Sequence, residues 1–345
     1  MTLICRQALI AGAIFWGMCG VAEAGGTGSS AMPYFDLSRA IVDVPDLGAL
    51  DGIHSSDSAI AAIIEPAGGG PSRFAENWFG RIVVPHQGPY GLGTFWDQAK
   101  TIPLEISAVV ALPLYHGLDH WNWGKSSFHF HSEGWFGKNT KYAGIDKLGH
   151  AYTTYLYSDF FTQRIAHKTG NPTGAALTGS LIAFGIMAGV EVGDGFSPDY
   201  GFSPEDLIAD GVGAGFGFLR NTIPGLADKL DYRMEYVKSS RHSFDPVSDY
   251  EGQKYILALK LGGFERFEDS PLRFFELHGG YFVRHDRNAS GTGYTRRREP
   301  YVGIGLNLQQ LLAETPANNT SFGLAADRFF EYYQPPYTYI ATQQN

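Results

Sequence analysis

Cysteine is almost missing from this chain. There are two, Cys5 and Cys19, and both fall in the first 24 residues. Those residues read as an export signal. Arg6 gives the positive start, Ala8 to Val21 runs apolar without charge, and Ala22-Glu23-Ala24 fits small-x-small cleavage. A mature chain from Gly25 has no thiol, so a disulfide frame and cysteine-ligated zinc are excluded. Cys19 follows Trp16-Gly17-Met18, which is a poor lipoprotein box.

Charge is also scarce, at 18% of residues, with a net −9 and no broad basic face. That excludes a nucleic-acid surface. No G-x-S-x-G, P-loop or G-x-G-x-x-G stretch is present, so hydrolase-elbow, nucleotide and dinucleotide chemistry lose their usual carriers. No apolar run outside the leader reaches the ~20 residues of a membrane span. The nearest is Gly174 to Val190, and it is diluted by Gly174, Gly179, Gly185 and Gly189. It reads as a buried core helix in preference to a membrane-inserted hairpin, with Gly185 and Gly189 suited to close helix contact.

What the chain has in excess is glycine, 44 residues, and aromatics, 14%. About 320 mature residues allow one large or two small domains. Residues 25–72 read as a poorly ordered arm with one short helix at 58–64. Residues 73–240 read as a helical core domain. A helix over 97–117 is interrupted or bent at Pro103 and Pro113, and further helices run over 146–164, from Gly174 to beyond Val190, and from Ser203. Ser203-Pro204-Glu205-Asp206 is a fitting helix start, and Gly211, Gly213, Gly215 and Gly217 permit close backbone packing.

The pattern changes in 241–345. Gln253–Gly263, Arg273–Arg284 and Glu299–Leu308 read as three antiparallel strands, followed by a helix over Ser321–Tyr332. Asp286 to Arg298 reads as a long hairpin loop ending in Arg296-Arg297-Arg298, a run suited to a solvated tip or to lipid phosphates. The expected class is α+β: a glycine-rich helical core, then a small antiparallel meander beside it or against the outer membrane.

The chemistry concentrates in three helical stripes. Asp146, Lys147 and His150 open one helix, Glu191 and Asp194 end the next, and Asp206 and Asp210 sit near the start of the third. These spacings put each set on one face. Carboxylates on apolar helices need a partner, a metal or a proton. Three readings stay open. The first is a salt-bridge network with Lys147 and His150 answering the acids. The second is a metal site of His150, Glu191, Asp194, Asp206 and Asp210, whose donors suit zinc, manganese or magnesium. The third is metal-free acid–base catalysis by His150, Asp146 and Lys147. A second cluster, His116, His120, His129 and His131 with Asp119 and Glu133, has metal-compatible spacing inside an aromatic stretch.

Asp146-Lys147-x-x-His150, Glu191-x-x-Asp194 and Phe202-Ser203-x-x-Asp206 with Asp210 resemble the YfiM-like family of predicted periplasmic lipoproteins, a domain of unknown function. Glu133-Gly134-Trp135-Phe136-Gly137 and Thr140 extend the likeness, which covers about residues 123–219. A looser likeness is to VanZ-like membrane proteins. The family usually has lysine where Val190 stands here. The resemblance implies an envelope location and a helical core, and no reaction. The chain is therefore expected to be an exported periplasmic or outer-membrane-associated protein. Its polar site serves envelope maintenance or ligand binding, or else a metal-assisted hydrolase acting on lipid, glycolipid or peptidoglycan.

Overall fold

A computed structural model describes residues 90–137, 140, 142–239, 244–287 and 294–342. The signal, the arm and the short helix at 58–64 lie outside the described residues. The helix expected over 97–117, interrupted or bent at its prolines, is interrupted at the first: α1 (Leu92–Ala99) and α2 (Pro103–Asp119) stand at 82° to each other. Pro103 lacks the N–H that would continue α1, so it opens a new helix instead. Pro113 is accommodated inside α2.

Three long helices follow. α3 spans Ile145–Thr169 and is closed by Gly170 in the left-handed conformation, φ 66°. α4 spans Pro172–Gly195, and its cap Asn171 accepts from the Gly174 amide at 2.9 Å. α5 spans Pro204–Thr222, and its cap Ser203 accepts from the Asp206 amide at 3.2 Å. α3 packs against both α4 and α5, and α4 against α5. Glycine sets the spacing at two points. A Cβ on Gly213 would lie 2.1 Å from the Ala151 carbonyl oxygen, and one on Gly179 would lie 2.5 Å from the Thr162 amide nitrogen. The expected Gly185–Gly189 contact does not form among the described residues: both positions face open space. α4 is long and apolar enough to cross a membrane, with 56% of its most apolar window buried.

The sheet has five strands, not three, in simple antiparallel order: β1 (Leu230–Tyr236), β2 (Gln253–Lys260), β3 (Phe275–Arg287), β4 (Tyr294–Leu306) and β5 (Tyr339–Ala341). The β3–β4 hairpin is longer than expected, so the supposed loop arginines lie within it: Arg297 pairs with Arg284 and Arg298 with Val283. Two further helices, α6 (Leu308–Ala313) and α7 (Ser321–Tyr332), pack together before β5.

One end of the sheet rests on α3. Tyr152 and Tyr155 of α3 form a core with Tyr255 and Val283, flanked by Tyr232, Met234 and Tyr281. The opposite face of the sheet holds Ile256, Ala258, Phe282 and Tyr301. It also holds a buried ionic network. Arg233 bridges Asp231 and Glu276, Arg220 bridges Asp231 and Glu331, and Lys260 reaches Asp231 at 2.9 Å. Nearly complete hydrogen bonding is what such burial requires.

Candidate functional site

The three stripes meet at one end of the bundle, where α3 and α5 begin and α4 ends. The helix starts favour carboxylates: Asp146 is in the first turn of α3, and Glu205 and Asp206 are in that of α5. Glu191, near the end of α4, is opposed by its helix dipole and needs other support. It accepts from the Ser203 amide at 3.1 Å and lies 3.6 Å from His150 Nδ1.

Two halves can be separated. In the first, the Lys147 ammonium sits among three carboxylates: Asp146 at 2.8 Å, Asp206 at 2.9 Å and Glu133 at 3.0 Å. Its side chain is 2% exposed. In the second, His150 Nδ1 lies 3.2 Å from Asp210 Oδ1, which also accepts from Thr154 Oγ1 at 2.9 Å. His150 keeps 22% of its side chain exposed, whereas Glu191 and Asp210 are buried.

The electrostatics follow from burial and charge count. Burial lowers the His150 pKa, but the hydrogen bond and charge of Asp210, with Asp206 and Glu191, outweigh it and push it up to about 10. Burial raises Glu191 to about 8, with His150 pulling down and Asp206 pushing up. Burial and the hydrogen bond with Asp146 raise Glu133 to about 7 against the pull of Lys147. Burial also opposes ionisation of Asp146, yet Glu133 and Lys147 hold it below the usual carboxylate range. Lys147 is held above its ordinary value: burial works against it, and Asp146 and Asp206 prevail. Five carboxylates thus face two cations, and protons on Glu133 and Glu191 make up part of the difference.

Two groups of three have ligand atoms within 4.8 Å of one another: His150, Glu191 and Asp206, and Glu133, Asp146 and Asp206. Lys147 already supplies a cation to the second. The first shares Asp206 with it, and there, among the described residues, Glu191 has only the imidazole as a nearby cation. Beside it, Asp210 Oδ2 is buried without a protein hydrogen-bond partner. Of the expected metal ligands, Asp194 and Asp210 fall in neither group. Asp194 Oδ1 instead accepts from Trp123 Nε1 at 2.7 Å, and Asp210 stands behind His150.

Glu133 was read from sequence with the other histidines, and the structure moves it to Lys147. The only sequence signal was its place just ahead of the aromatic approach to α3. The histidine cluster does not form a metal group among the described residues. His116 stacks on Trp121 and lies beside His120, ring centroids 5.4 Å apart, while His129 Nδ1 lies 3.2 Å from the Ser127 carbonyl. This is aromatic packing around the site end, where Phe128, Phe130, Phe196 and Phe202 also cluster.

Residues 132–222 match the family described as predicted periplasmic lipoprotein (DUF2279). The match begins at Ser132, beside Glu133, and ends at Thr222, the last residue of α5, so it encloses the whole acid/His site. It supports an envelope location and a helical domain whose activity is not established. No curated protein and no solved structure matches the chain.

Proposed function

We propose that His150, Glu191 and Asp206 hold a divalent cation and that this envelope protein is a metal-dependent hydrolase. The observation that carries the proposal is the three-ligand group itself, set among more carboxylates than fixed cations. Three protein ligands leave a coordination position for water, the arrangement of catalytic rather than structural zinc. One imidazole with carboxylates suits zinc or manganese. A cation bound there would lower the pKa of its water to roughly 7.

The protein's own residues have distinct parts. Asp210 holds the His150 ring in place, its Oδ1 lying 3.2 Å from Nδ1, the nitrogen that also faces Glu191 at 3.6 Å. Thr154 fixes Asp210 in turn. Lys147 holds Asp206 in place while neutralising Asp146 and Glu133, so that Asp206 is shared between the two halves. Glu191 and His150 would release protons on binding a cation, which makes affinity rise with pH. Lipid, glycolipid and peptidoglycan are the hydrolysable substrates that an envelope location offers.

The test is metal analysis of protein purified without chelator. Near-stoichiometric zinc or manganese is expected, lost in His150→Ala and in Asp206→Asn. A chain that carries no metal and gains no thermal stability from zinc, manganese or magnesium refutes the proposal. The acids, Lys147 and His150 would then be an ionic clasp joining three helices, or a binding site for a cationic ligand.

A further inference from the structure

The sheet is inside out. In a water-exposed sheet the outer face carries the polar side chains of each alternation. Here Asp231, Arg233, Glu235, Lys254, Glu276 and His278 all point to one face and are all buried. Their alternation partners point the other way, and beyond the contact with α3 no described residue covers them. Leu257, Leu277, Val302, Ile304 and Ile340 stand 45, 44, 63, 56 and 75% exposed. Register makes them one patch: Leu277 lies opposite Ile304, Ile304 opposite Ile340, and Leu257 and Val302 both flank Gly279. The patch leads into an open cavity of about 550 Å³ lined by Phe136, Leu148, Tyr281, Pro300 and Arg298. Leu148 shows that the cavity lies on the side of α3 away from His150, since two residues along a helix are about a half-turn apart.

We propose that this face of the sheet docks on the surface of an anionic lipid bilayer, with the aliphatic side chains among the acyl chains and Arg298 at the level of the phosphates. Charge inside and aliphatic residues outside is the alternation of strands that face lipid. Five open-ended strands do not close into a barrel, so the contact is a docked face rather than a span. Charge decides between a bilayer and a second copy of the chain. Arg298 stands at the margin of the patch, and among the described residues no Asp or Glu shares its face. Its guanidinium donates to the Phe136 carbonyl but meets no carboxylate there; a self-complementary contact would bring two such cations together, whereas lipid phosphates would neutralise each. Phe136 and Tyr281, in edge-to-face contact beside it, are residues suited to the headgroup region. The proposal does not depend on the metal reading.

The test uses the full chain with Cys5→Ser, Cys19→Ser and Ile304→Cys, carrying an environment-sensitive fluorophore at 304. With vesicles of phosphatidylglycerol and phosphatidylcholine, emission should shift to shorter wavelength and be quenched by a quencher attached to the lipid chains. Arg298→Gln should weaken vesicle affinity about fivefold, since one basic residue near an anionic surface contributes ~1 kcal/mol. Val302→Lys should abolish the shift while leaving the melting temperature unchanged, because that side chain is mostly exposed. Three outcomes overturn the proposal: no association with vesicles, a label that stays water-like while the chain floats with them, or a shift that appears without lipid and vanishes on dilution, which marks a second copy.

Discussion

Lys147→Met is the sharpest perturbation of the site end. The side chain keeps its length and apolar stem and loses only the charge. In the native chain that charge lies within 3.0 Å of Asp146, Asp206 and Glu133, and it is almost wholly buried. Removing one partner of a buried ion pair typically costs about 3–5 kcal/mol, because the other partner is stranded. Here three acids lose their nearest cation, so the upper part of that range applies. For a folded unit of this size the melting temperature should drop roughly 6–20 °C. The loss must depend on pH. Without Lys147 the stranded carboxyls are held above their unfolded values, so the fold favours their protonated forms. The penalty is then small near pH 4, the unfolded range of about 3.9–4.3, and grows as pH rises through the elevated folded values. Glu133 sits at about 7 even with Lys147 present, so the growth should extend past neutrality. Urea unfolding at about pH 5 and near pH 8, with Lys147→Met/Asp146→Asn as a rescue, measures this. A variant within about 1 kcal/mol of the parent at both pH values would refute the argument, as the ammonium would then be offsetting no buried charge.

Packing and titration elsewhere give further tests. Gly213→Ala forces a methyl to 2.1 Å from the Ala151 carbonyl and should cost about 1–3 kcal/mol by pushing α5 off α3. Gly215→Ala, two residues on in the same helix and facing open space, should be neutral or stabilising by up to about 1 kcal/mol; equal losses in thermal melts would count against the close-approach argument. Asp327 in α7 is raised to about 6, chiefly by burial and then by Glu331. A raised acid contributes stability below its unfolded pKa of about 4, and that contribution is lost as pH rises through about 6. Asp327→Asn should therefore flatten stability between those values and gain about 1–3 kcal/mol at neutral pH; a steeper pH profile in the variant would contradict the assignment.

The site was more legible than the sheet, for a physical reason. Asp146, His150, Glu191, Asp206 and Asp210 stand out because helical spacing puts polar groups on otherwise apolar faces, and α3, α4 and α5 carry their caps in the sequence: Asn171-Pro172, Ser203-Pro204 and Gly170. Spacing within helices fixed which residues share a face. It did not fix which faces meet. So Asp194, only three residues from Glu191, turned out to be held by Trp123. Glu133, in an irregular segment with no periodicity, had only its place ahead of α3 as a signal, and nothing in its spacing tied it to Lys147. The same blindness explains β1. Leu230-Asp-Tyr-Arg-Met-Glu-Tyr236 alternates perfectly well, but its polar set is charged, and charged positions read as solvent-facing. In the fold those positions are buried among other charges and Tyr232 packs on α3.

That reversal also bears on how the chain divides. Only a turn and a one-turn helix, Leu226–Lys229, separate α5 from β1, and Arg220 of α5 donates to the Leu230 carbonyl at 3.1 Å and to Asp231 Oδ1 at 2.8 Å. The helix that carries Asp206 and Asp210 at one end is therefore tied at its other end into the charge network beneath the sheet. Arg220 also pairs with Glu331 of α7, and Tyr332 of α7 donates to Asp159 of α3. A displacement of the sheet would pull on both α3 and α5, the two helices whose first turns build the acid/His site. If the sheet docks on a bilayer as proposed, the element that meets lipid and the elements that hold the acids are joined by buried charge rather than by a flexible linker. The site would then keep one fixed orientation to the surface, with its open side, marked by the partly exposed His150, presented the same way in every docked molecule.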